Sequence, residues 1–344
     1  MNNIAVICVA AIMTAVLTAV LGFAVVPWLR KLKFGQAVSE FAPEAHKLKQ
    51  GTPTMGGLMF IAASIVSIAV VLITDKLMGG DIIGEGSMVP GALKVKFWAG
   101  LVMALGFAVI GFADDYLKVV KHNNAGLSIM QKSAAELLVM AGYLASLHSV
   151  GATYVFIPFV GNVNIGLFFW PLGFIMLYCT INAVNFTDGE DGLLSSVTIP
   201  FAAGCIAIAV IKGVFGIAIL PSVLLGAACG FLVWNRHPAK VFMGDCGSLF
   251  IGGLTAAVCY ALDMPWLVLI AGFVYVMEFA SDIIQLSVLK ATHGQKHVFK
   301  MAPIHHHFEK SGWSENKICV VFSAINTVGA IISVLLVKFG SLSV

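Results

Sequence analysis

Charged residues are scarce in this sequence. They make up 11% of the 344 residues, against roughly 25% in an ordinary soluble domain, while apolar residues make up 59%. One membrane-crossing helix needs about 20 mostly apolar residues, so the apolar content suffices for about ten crossings. These proportions exclude a soluble enzyme, a disordered protein and a fibrous protein. They predict an all-α integral membrane protein in which residues 1–344 form one membrane domain.

Familiar cysteine and nucleotide motifs are also missing. The seven cysteines show no CxxC pair and no zinc-ligand spacing, and most lie inside apolar runs, so we expect them to be reduced core residues. The sequence has neither a GxxxxGK[ST] loop nor a GxGxxG loop, which are common cradles for nucleotide phosphates. The net charge of +3 is too small to indicate a nucleic acid as partner.

Ten apolar runs, separated by charged or glycine- and proline-rich breaks, predict ten membrane-spanning helices. Their approximate bounds are 4–29, 55–74, 97–113, 134–150, 166–182, 193–211, 214–234, 249–263, 265–289 and 318–338. The segment Thr153–Gly166 carries a proline and a Gly–Asn pair between short β-prone runs. It predicts a small hairpin rather than a span.

The distribution of positive charge predicts the orientation in the membrane. The connections after predicted helices 1, 3, 5, 7 and 9 carry 15 of the 20 lysines and arginines. Because cytoplasmic loops are enriched in these residues, we expect these connections in the cytoplasm and both termini and the hairpin outside. Eight of the nine histidines, all but His148, and most acidic residues fall on the same side. We therefore expect the chemistry at the cytoplasmic face.

The first cytoplasmic connection contains the string HKLKQGTPTMGG at 46–57. Its glycines permit close backbone approach, Thr54 offers a hydroxyl and Lys49 offers a positive charge, which together suit a phosphate. A basic loop that merely follows the charge bias of cytoplasmic segments is the alternative interpretation.

Three aspartates near predicted helix ends are candidate metal ligands. Asp114 and Asp115 follow the third apolar run, and adjacent carboxylates repel each other unless a cation or proton lies nearby. Asp245 stands between glycines just before the eighth run, where an unpaired carboxylate entering the membrane would be costly. Mg²⁺ is usually held by one or two carboxylates together with substrate phosphates, so these residues predict a magnesium site. A solvated helix end is the alternative for Asp114 and Asp115.

The string NAVNFTDGEDGL at 182–193 follows the fifth run and is rich in hydrogen-bond acceptors and side-chain amides. Such groups can bind the sugar and base of a nucleoside or help to bind a metal, although the spacing of an EF-hand is absent. A tight connector is the alternative. Phe242, just ahead of Asp245, fits equally well as an interfacial anchor or as a ring that stacks on a ligand.

The last cytoplasmic connection carries His305, His306 and His307 in a row. In an extended chain only the first and third share a side, and nothing nearby completes a tetrahedral set, so contacts with phosphate are favoured over zinc. Glu278 and Asp282 share a face of the ninth predicted helix. Since an intramembrane carboxylate suits a functional site and a structural partner for another helix equally well, Glu278 is not assigned to the site.

In this order, the motifs resemble those of the polyprenyl-phosphate N-acetylhexosamine-1-phosphate transferases, and within them the phospho-N-acetylmuramoyl-pentapeptide transferase family. The resemblance rests on HxxKxGTPTMGG (46–57), DDxxK (114–118), NxxNxTDGxDGL (182–193), FMGDxGSL (242–249) and PxHHHxE (303–309). The aspartate strings are shared with sister transferases, whereas the first and last strings point to the muramoyl-pentapeptide family. Glu190 departs from the family pattern, which usually has an apolar residue there.

The resemblance implies transfer of phospho-N-acetylmuramoyl-pentapeptide from its UDP-linked form to undecaprenyl phosphate, with release of UMP, as the first membrane step of peptidoglycan synthesis. It also implies Mg²⁺, about ten membrane helices, a homodimer and a place in the bacterial cell membrane. Asp245 is then the best magnesium ligand, with Asp114 and Asp115 catalytic and weaker ligands. The residues expected to contact the substrates are Lys49, Thr54, Lys118, Asn182, Asn185, Asp188, Asp191, Phe242, His305, His306 and His307.

Two alternatives stay open on sequence alone. A sister enzyme would transfer N-acetylglucosamine-1-phosphate, and a secondary transporter would place its site near the membrane midplane between repeats, although no repeat between the two halves is found. For a transferase, a lipid phosphomonoester with a second pKa of about 6 is largely dianionic at neutral pH. Direct attack by this phosphate is therefore favoured over a covalent intermediate on Asp114.

Overall fold

The structure, a computed structural model, describes residues 2–32, 51–85, 89–120 and 126–341. Within these ranges it has a short 3₁₀ helix (Gly166–Phe168) and twelve α-helices: α1 (Asn3–Lys31), α2 (Gly57–Leu77), α3 (Pro90–Val120), α4 (Ile129–Ser149), α5 (Phe169–Phe186), α6 (Leu193–Ile211), α7 (Phe215–Asn235), α8 (Gly244–Ala261), α9 (Leu267–Ala271), α10 (Phe273–Ala291), α11 (Ile304–Glu309) and α12 (Glu315–Ser341). The strands β1 (Tyr154–Ile157) and β2 (Gly161–Asn164) pair antiparallel, which confirms the predicted hairpin.

Eight helices in the described ranges are long and apolar enough to cross a membrane. They correspond to predicted spans 1, 2, 3, 5, 6, 7, 8 and 10 and confirm an all-α multi-pass membrane protein. Predicted spans 4 and 9 form α4 and α10, which are not among these eight. α4 carries two charged side chains in its first two turns, and α10 carries three that are spread over the helix. The predicted ninth span is also interrupted at Gly272, which separates α9 from α10. All seven cysteines are free.

The helices pack so that the predicted cytoplasmic connections gather at one end of the bundle. The deeply buried α8 packs against α2, α3, α5 and α7, and α7 in turn packs against α1 and α6. The carboxyl ends of α3, α5 and α7 therefore lie near the amino ends of α4, α6 and α8. This end of the bundle contains every string that carried the family resemblance, apart from the part of the first string that precedes residue 51.

Three of the helices that carry candidate residues extend past their predicted bounds. α3 continues to Val120 instead of ending near residue 113, and α5 continues to Phe186. α8 begins at Gly244, so Asp245 occupies its first turn, where the helix dipole favours a negative charge. The loop positions predicted for Asn185 and Asp245 are therefore wrong, because polar residues at a helix end interrupt the apolar pattern before they end the helix. Asp114 and Asp115 lie near the carboxyl end of α3, as predicted.

Candidate active site

Two strings that are far apart in the sequence run side by side at this end of the bundle. The N–H of Phe242 donates to the carbonyl of Pro53 at 2.8 Å. In return, Gly56 donates to the carbonyl of Phe242 at 2.8 Å and Gly57 donates to that of Met243 at 3.0 Å. The half-buried Phe242 is thus fixed by its backbone on both sides. Lys49, predicted to bind phosphate, lies outside the described residues.

Glycines bring α3 and the start of α8 into close contact. A Cβ atom on Gly111 would lie 2.2 Å from the carbonyl oxygen of Asp245. One on Gly244, whose φ is +71°, would lie 2.4 Å from Oδ2 of Asp115 and 2.8 Å from Oγ1 of Thr54. Only glycine accepts both the contacts and the positive φ. Thr54, a predicted substrate contact, therefore lies beside the aspartates.

The three aspartates predicted as catalytic come together. Carboxylate oxygens of Asp114, Asp115 and Asp245 lie within 4.8 Å of one another. Asp114 is 3% exposed and Asp115 is 4% exposed, so their charges are largely shielded from water. Buried like charges need a neighbouring cation or proton, and hard oxygen donors are the ligands that Mg²⁺ prefers. The donor set therefore fits a magnesium ion.

Two lysines reach the same carboxylates. Lys118 lies one turn after Asp114 on α3 and contacts it, and its Nζ lies 3.2 Å from Oδ2 of Asp245. Lys132, in the first turn of α4, places its Nζ 3.1 Å from the same oxygen. Lys118 was among the predicted phosphate ligands, but Lys132 was not. In the sequence, Lys132 stands just before an apolar run. A lysine at that position is already explained by the positive charge of cytoplasmic loops, so nothing marked it as a site residue.

Backbone N–H groups fix the orientation of the two buried carboxylates on α3. Oδ1 of Asp114 accepts from the N–H of Leu127 at 2.7 Å, and Oδ2 of Asp115 accepts from the N–H of Cys246 at 3.0 Å. The Leu127 contact brings the segment before α4 over the cluster, and the Cys246 contact ties α3 to the first turn of α8.

The two asparagines of the 182–193 string lie in the last turns of α5 and have different partners. Nδ2 of Asn185 donates to Oδ1 of Asp245 at 3.2 Å and to Oγ of Ser248 at 2.7 Å. Asn182, one turn earlier, donates to Oε2 of Glu136 on α4 at 3.3 Å. Asn185 therefore belongs to the aspartate cluster, whereas Asn182 connects α5 to α4.

The two predicted aspartates of this string also separate. Asp188 is half-buried, and burial, followed by the charge of Asp245, raises the pKa of its carboxyl to about 8. Asp191 is buried, and its Oδ2 accepts from the N–H of Ala239 at 2.9 Å and lies 3.1 Å from Nδ1 of His237. Asp188 thus lies within the electrostatic influence of the cluster, while Asp191 anchors the loop to the segment after α7.

The histidine run is helical rather than extended, so His305 and His307 do not share a side. Residues two apart on a helix lie on nearly opposite faces. His305 is 1% exposed, and its Nδ1 lies 2.9 Å from Oε2 of Glu278. Nδ1 of His307 instead accepts the N–H of Lys300 at 3.1 Å. His306, between them, is half-buried.

Glu278 is a second residue that the sequence prediction left out. It is fully buried in α10 and holds the imidazole of His305, which lies against Gly189 of the 182–193 string. In the sequence, Glu278 is a carboxylate inside an apolar run, and such a residue fits a functional site and a structural contact with another helix equally well. The structure makes it a partner of the histidine run.

Two family models match the sequence. The Glycosyl transferase family 4 model matches residues 97–263, and the phospho-N-acetylmuramoyl-pentapeptide-transferase signature 1 matches residues 49–61. The first range holds all three clustered aspartates and both lysines, and the second holds Thr54.

Several similar proteins bear the name phospho-N-acetylmuramoyl-pentapeptide-transferase. One from Halalkalibacterium halodurans is 40% identical over 328 residues, which cover 94% of this chain and 95% of that protein. One from Clostridium perfringens (strain SM101 / Type A) is 40% identical and covers 94% of each. One from Listeria monocytogenes serotype 4b (strain CLIP80459) is 38% identical over 91% of this chain and 93% of that protein.

Proposed function

Because the chain belongs to the phospho-N-acetylmuramoyl-pentapeptide-transferase family, we propose that it transfers phospho-N-acetylmuramoyl-pentapeptide from UDP to undecaprenyl phosphate, releasing UMP. The observation that carries the proposal is the meeting of three aspartates and two lysines at the end of a membrane bundle. Such a cluster suits two anionic substrates, one from water and one from the bilayer. Phosphoryl transfer depends mainly on positioning and on neutralising charge.

In the proposed reaction an oxygen of the lipid phosphate bonds to the phosphorus that carries the sugar. The bond from that phosphorus to the bridging oxygen breaks, and UMP leaves with the electron pair. Asp114, Asp115 and Asp245 would hold Mg²⁺, which when bound supplies charge stabilisation for the diphosphate and the leaving UMP. Lys118 and Lys132, which both contact Asp245, offset the repulsion between the two anionic substrates.

The contacts of Asp114 support direct attack by the lipid phosphate. Its Oδ1 accepts from the backbone N–H of Leu127 and its Oδ2 is paired with Lys118, so its negative charge is partly neutralised, while each oxygen keeps a lone pair for Mg²⁺. A carboxylate held in this way is a weak nucleophile, whereas the lipid phosphate is largely dianionic at neutral pH. The role that fits Asp114 is to position charge rather than to form a covalent intermediate.

Direct attack predicts that enzyme mixed with the UDP-linked donor, but without lipid phosphate, releases no first-turnover burst of UMP. A two-step route would release one UMP per enzyme and leave a phospho-sugar on an aspartate. Quench-flow measurement of UMP, followed by mass spectrometry of the peptide that holds Asp114 and Asp115, separates the two routes. A stoichiometric burst with the matching adduct mass would overturn direct attack.

The proposal places the aspartate cluster at the cytoplasmic face of the bacterial cell membrane, with both termini outside and the single domain acting as a homodimer. The charge bias of the connections supports this orientation. In a background free of the seven native cysteines, Lys296→Cys is expected to react with a membrane-impermeant thiol reagent only after the membrane is opened. Asn162→Cys in the hairpin is expected to react in intact cells. Both side chains are exposed, so the reverse pattern would refute the orientation.

The family matches do not favour the sister transferase. The test is to give the purified protein undecaprenyl phosphate and Mg²⁺ with either UDP-N-acetylmuramoyl-pentapeptide or UDP-N-acetylglucosamine, and to weigh the lipid product by mass spectrometry. We expect a product only with the muramoyl-pentapeptide donor. A product from the glucosamine donor alone would support the sister enzyme, and the absence of any product with both donors would refute a transferase.

A further inference from the structure

A second group of possible metal ligands lies beside the aspartate cluster. Side-chain donor atoms of Glu190, His305 and His306 lie within 4.8 Å of one another. Glu190 comes from the loop between α5 and α6, and the two histidines come from α11. Nδ1 of His306 lies 3.5 Å from Oε1 of Glu190, whose side chain is fully buried. The group therefore joins two segments that are more than 100 residues apart in the sequence.

The two ring nitrogens of His305 differ in a way that indicates a ligand. Nδ1 lies 2.9 Å from Oε2 of Glu278, which orients the ring. Nε2 is buried and has no hydrogen-bond partner among the described residues. Buried polar atoms normally have a partner. In metal sites, a histidine ligand usually donates its other ring N–H to a carboxylate, which fixes the ring for the metal.

We propose that Glu190, His305 and His306 bind a transition metal ion of the zinc type, at a site separate from the magnesium cluster. Two imidazoles and a carboxylate are a zinc donor set, whereas Mg²⁺ prefers oxygen ligands. Glu309, whose Oε2 lies 3.0 Å from Nδ1 of His306, supplies a further carboxylate at the edge of the site. Glu278 is the orienting partner of His305 and not a ligand.

This site could not be predicted from the sequence for two reasons. An extended histidine run cannot direct neighbouring side chains to one ion, but the helical turn of α11 brings the rings of His305 and His306 to 4.1 Å between centroids. The third ligand, Glu190, lies in another string and reaches the histidines only in the folded chain. A bound ion would link α11 to the loop between α5 and α6.

The competing account needs no metal. In it, His306 is an imidazolium between the carboxylates of Glu190 and Glu309, and it supplies the positive charge itself. The two accounts differ in whether the protein binds a transition metal when Mg²⁺ is already present. The difference does not depend on the transferase activity, so it can be measured without substrates.

The experiment uses the full chain, purified in detergent with a tag that contains no histidine, stripped with a chelator and kept in excess Mg²⁺. Co²⁺ is titrated while its visible absorption is followed, and Zn²⁺ is then added as competitor. We expect one Co²⁺ per chain, displaced by Zn²⁺. We also expect Zn²⁺ to raise the unfolding temperature of the wild type but not that of Glu190→Gln.

Three variants make the test specific. Removing a residue that orients a metal ligand through a hydrogen bond typically lowers metal affinity about 10- to 100-fold. We therefore expect a loss of Co²⁺ affinity of that size for Glu278→Gln, and a larger loss for Glu190→Gln, which removes a ligand. His237→Ala is the matched control. It removes the histidine of a different group of possible ligands in the described residues, formed by Asp191, His237 and Glu315. It should leave Co²⁺ affinity unchanged.

Equal unfolding temperatures of the chelator-treated proteins will show that the variants fold. If Glu190→Gln does not fold, His306→Gln replaces it with the same expected loss. Absence of Co²⁺ binding in the wild type would overturn the proposal in favour of the imidazolium account. Co²⁺ affinity that falls in His237→Ala but not in Glu190→Gln would also overturn it, by moving the ion to the other cluster.

Discussion

Replacing Asp245 with asparagine is expected to lower the turnover number about 10³-fold, at the upper end of what the loss of one preorganised electrostatic group costs an enzyme. The carboxylate of Asp245 contacts side chains from α3, α4 and α5. Its Oδ2 lies 3.2 Å from Nζ of Lys118 and 3.1 Å from Nζ of Lys132, and its Oδ1 accepts from Nδ2 of Asn185 at 3.2 Å. The Asp245→Asn variant keeps the shape but removes the charge that balances both lysines. It also removes a negatively charged ligand from the proposed magnesium site.

The measurement for Asp245→Asn is UMP release at saturating substrates over a range of Mg²⁺ concentrations. Asp81→Asn is the matched control, because Asp81 forms an exposed pair with Lys94 at the opposite end of α3, and exposed pairs contribute little. Binding of undecaprenyl phosphate should survive in both variants, since neither substitution removes apolar surface. Wild-type turnover of Asp245→Asn at limiting Mg²⁺ would contradict the assignment of this residue.

Replacing Lys132 with methionine is expected to lower the turnover number about 10²-fold, again by loss of one preorganised charge. Methionine keeps most of the apolar stem, so the start of α4 should stay packed. The ammonium group lies 3.1 Å from Asp245 and is largely shielded from water, at 22% side-chain exposure. Its charge is therefore poorly screened, and its removal should weaken the stabilisation of the phosphates during transfer more than the binding of the donor.

The expected signature of Lys132→Met is a fall in kcat with a smaller change in KM for the UDP-linked donor. Lys94→Met serves as the control, since Lys94 is an exposed lysine paired with Asp81 at the far end of α3. A rise in KM for the donor with unchanged kcat would show that Lys132 only binds substrate. Unchanged values of both constants would remove it from the site.

The sequence predicted those parts of the fold that depend on local pattern. Apolar runs located the membrane helices, and a Gly–Asn pair with a nearby proline located the hairpin between β1 and β2. The adjacency of Asp114 and Asp115 and the lone Asp245 between glycines indicated a cation because isolated carboxylates at a membrane edge are costly. The structure brings these three together.

What could not be predicted depends on packing between distant segments. Lys132 gained its role only when α4 packed against α3 and brought its ammonium group to Asp245. Likewise, the burial of His305 follows from Glu278 on α10, a helix that the sequence joined to α9 as one span. The orientation of the Asp191 side chain likewise depends on a hydrogen bond from the backbone of the segment after α7. No local pattern specifies any of these contacts.

We propose that the aspartate cluster at one end of the bundle catalyses transfer of a phospho-sugar between two anionic substrates with the help of Mg²⁺. The most direct test is an assay in which the UDP-linked donor, undecaprenyl phosphate and Mg²⁺ are each left out in turn. We predict one UMP per molecule of lipid product when all three are present, and no UMP when any one is missing or when a chelator is added. UMP release in the chelator, or without the lipid phosphate, would contradict the account.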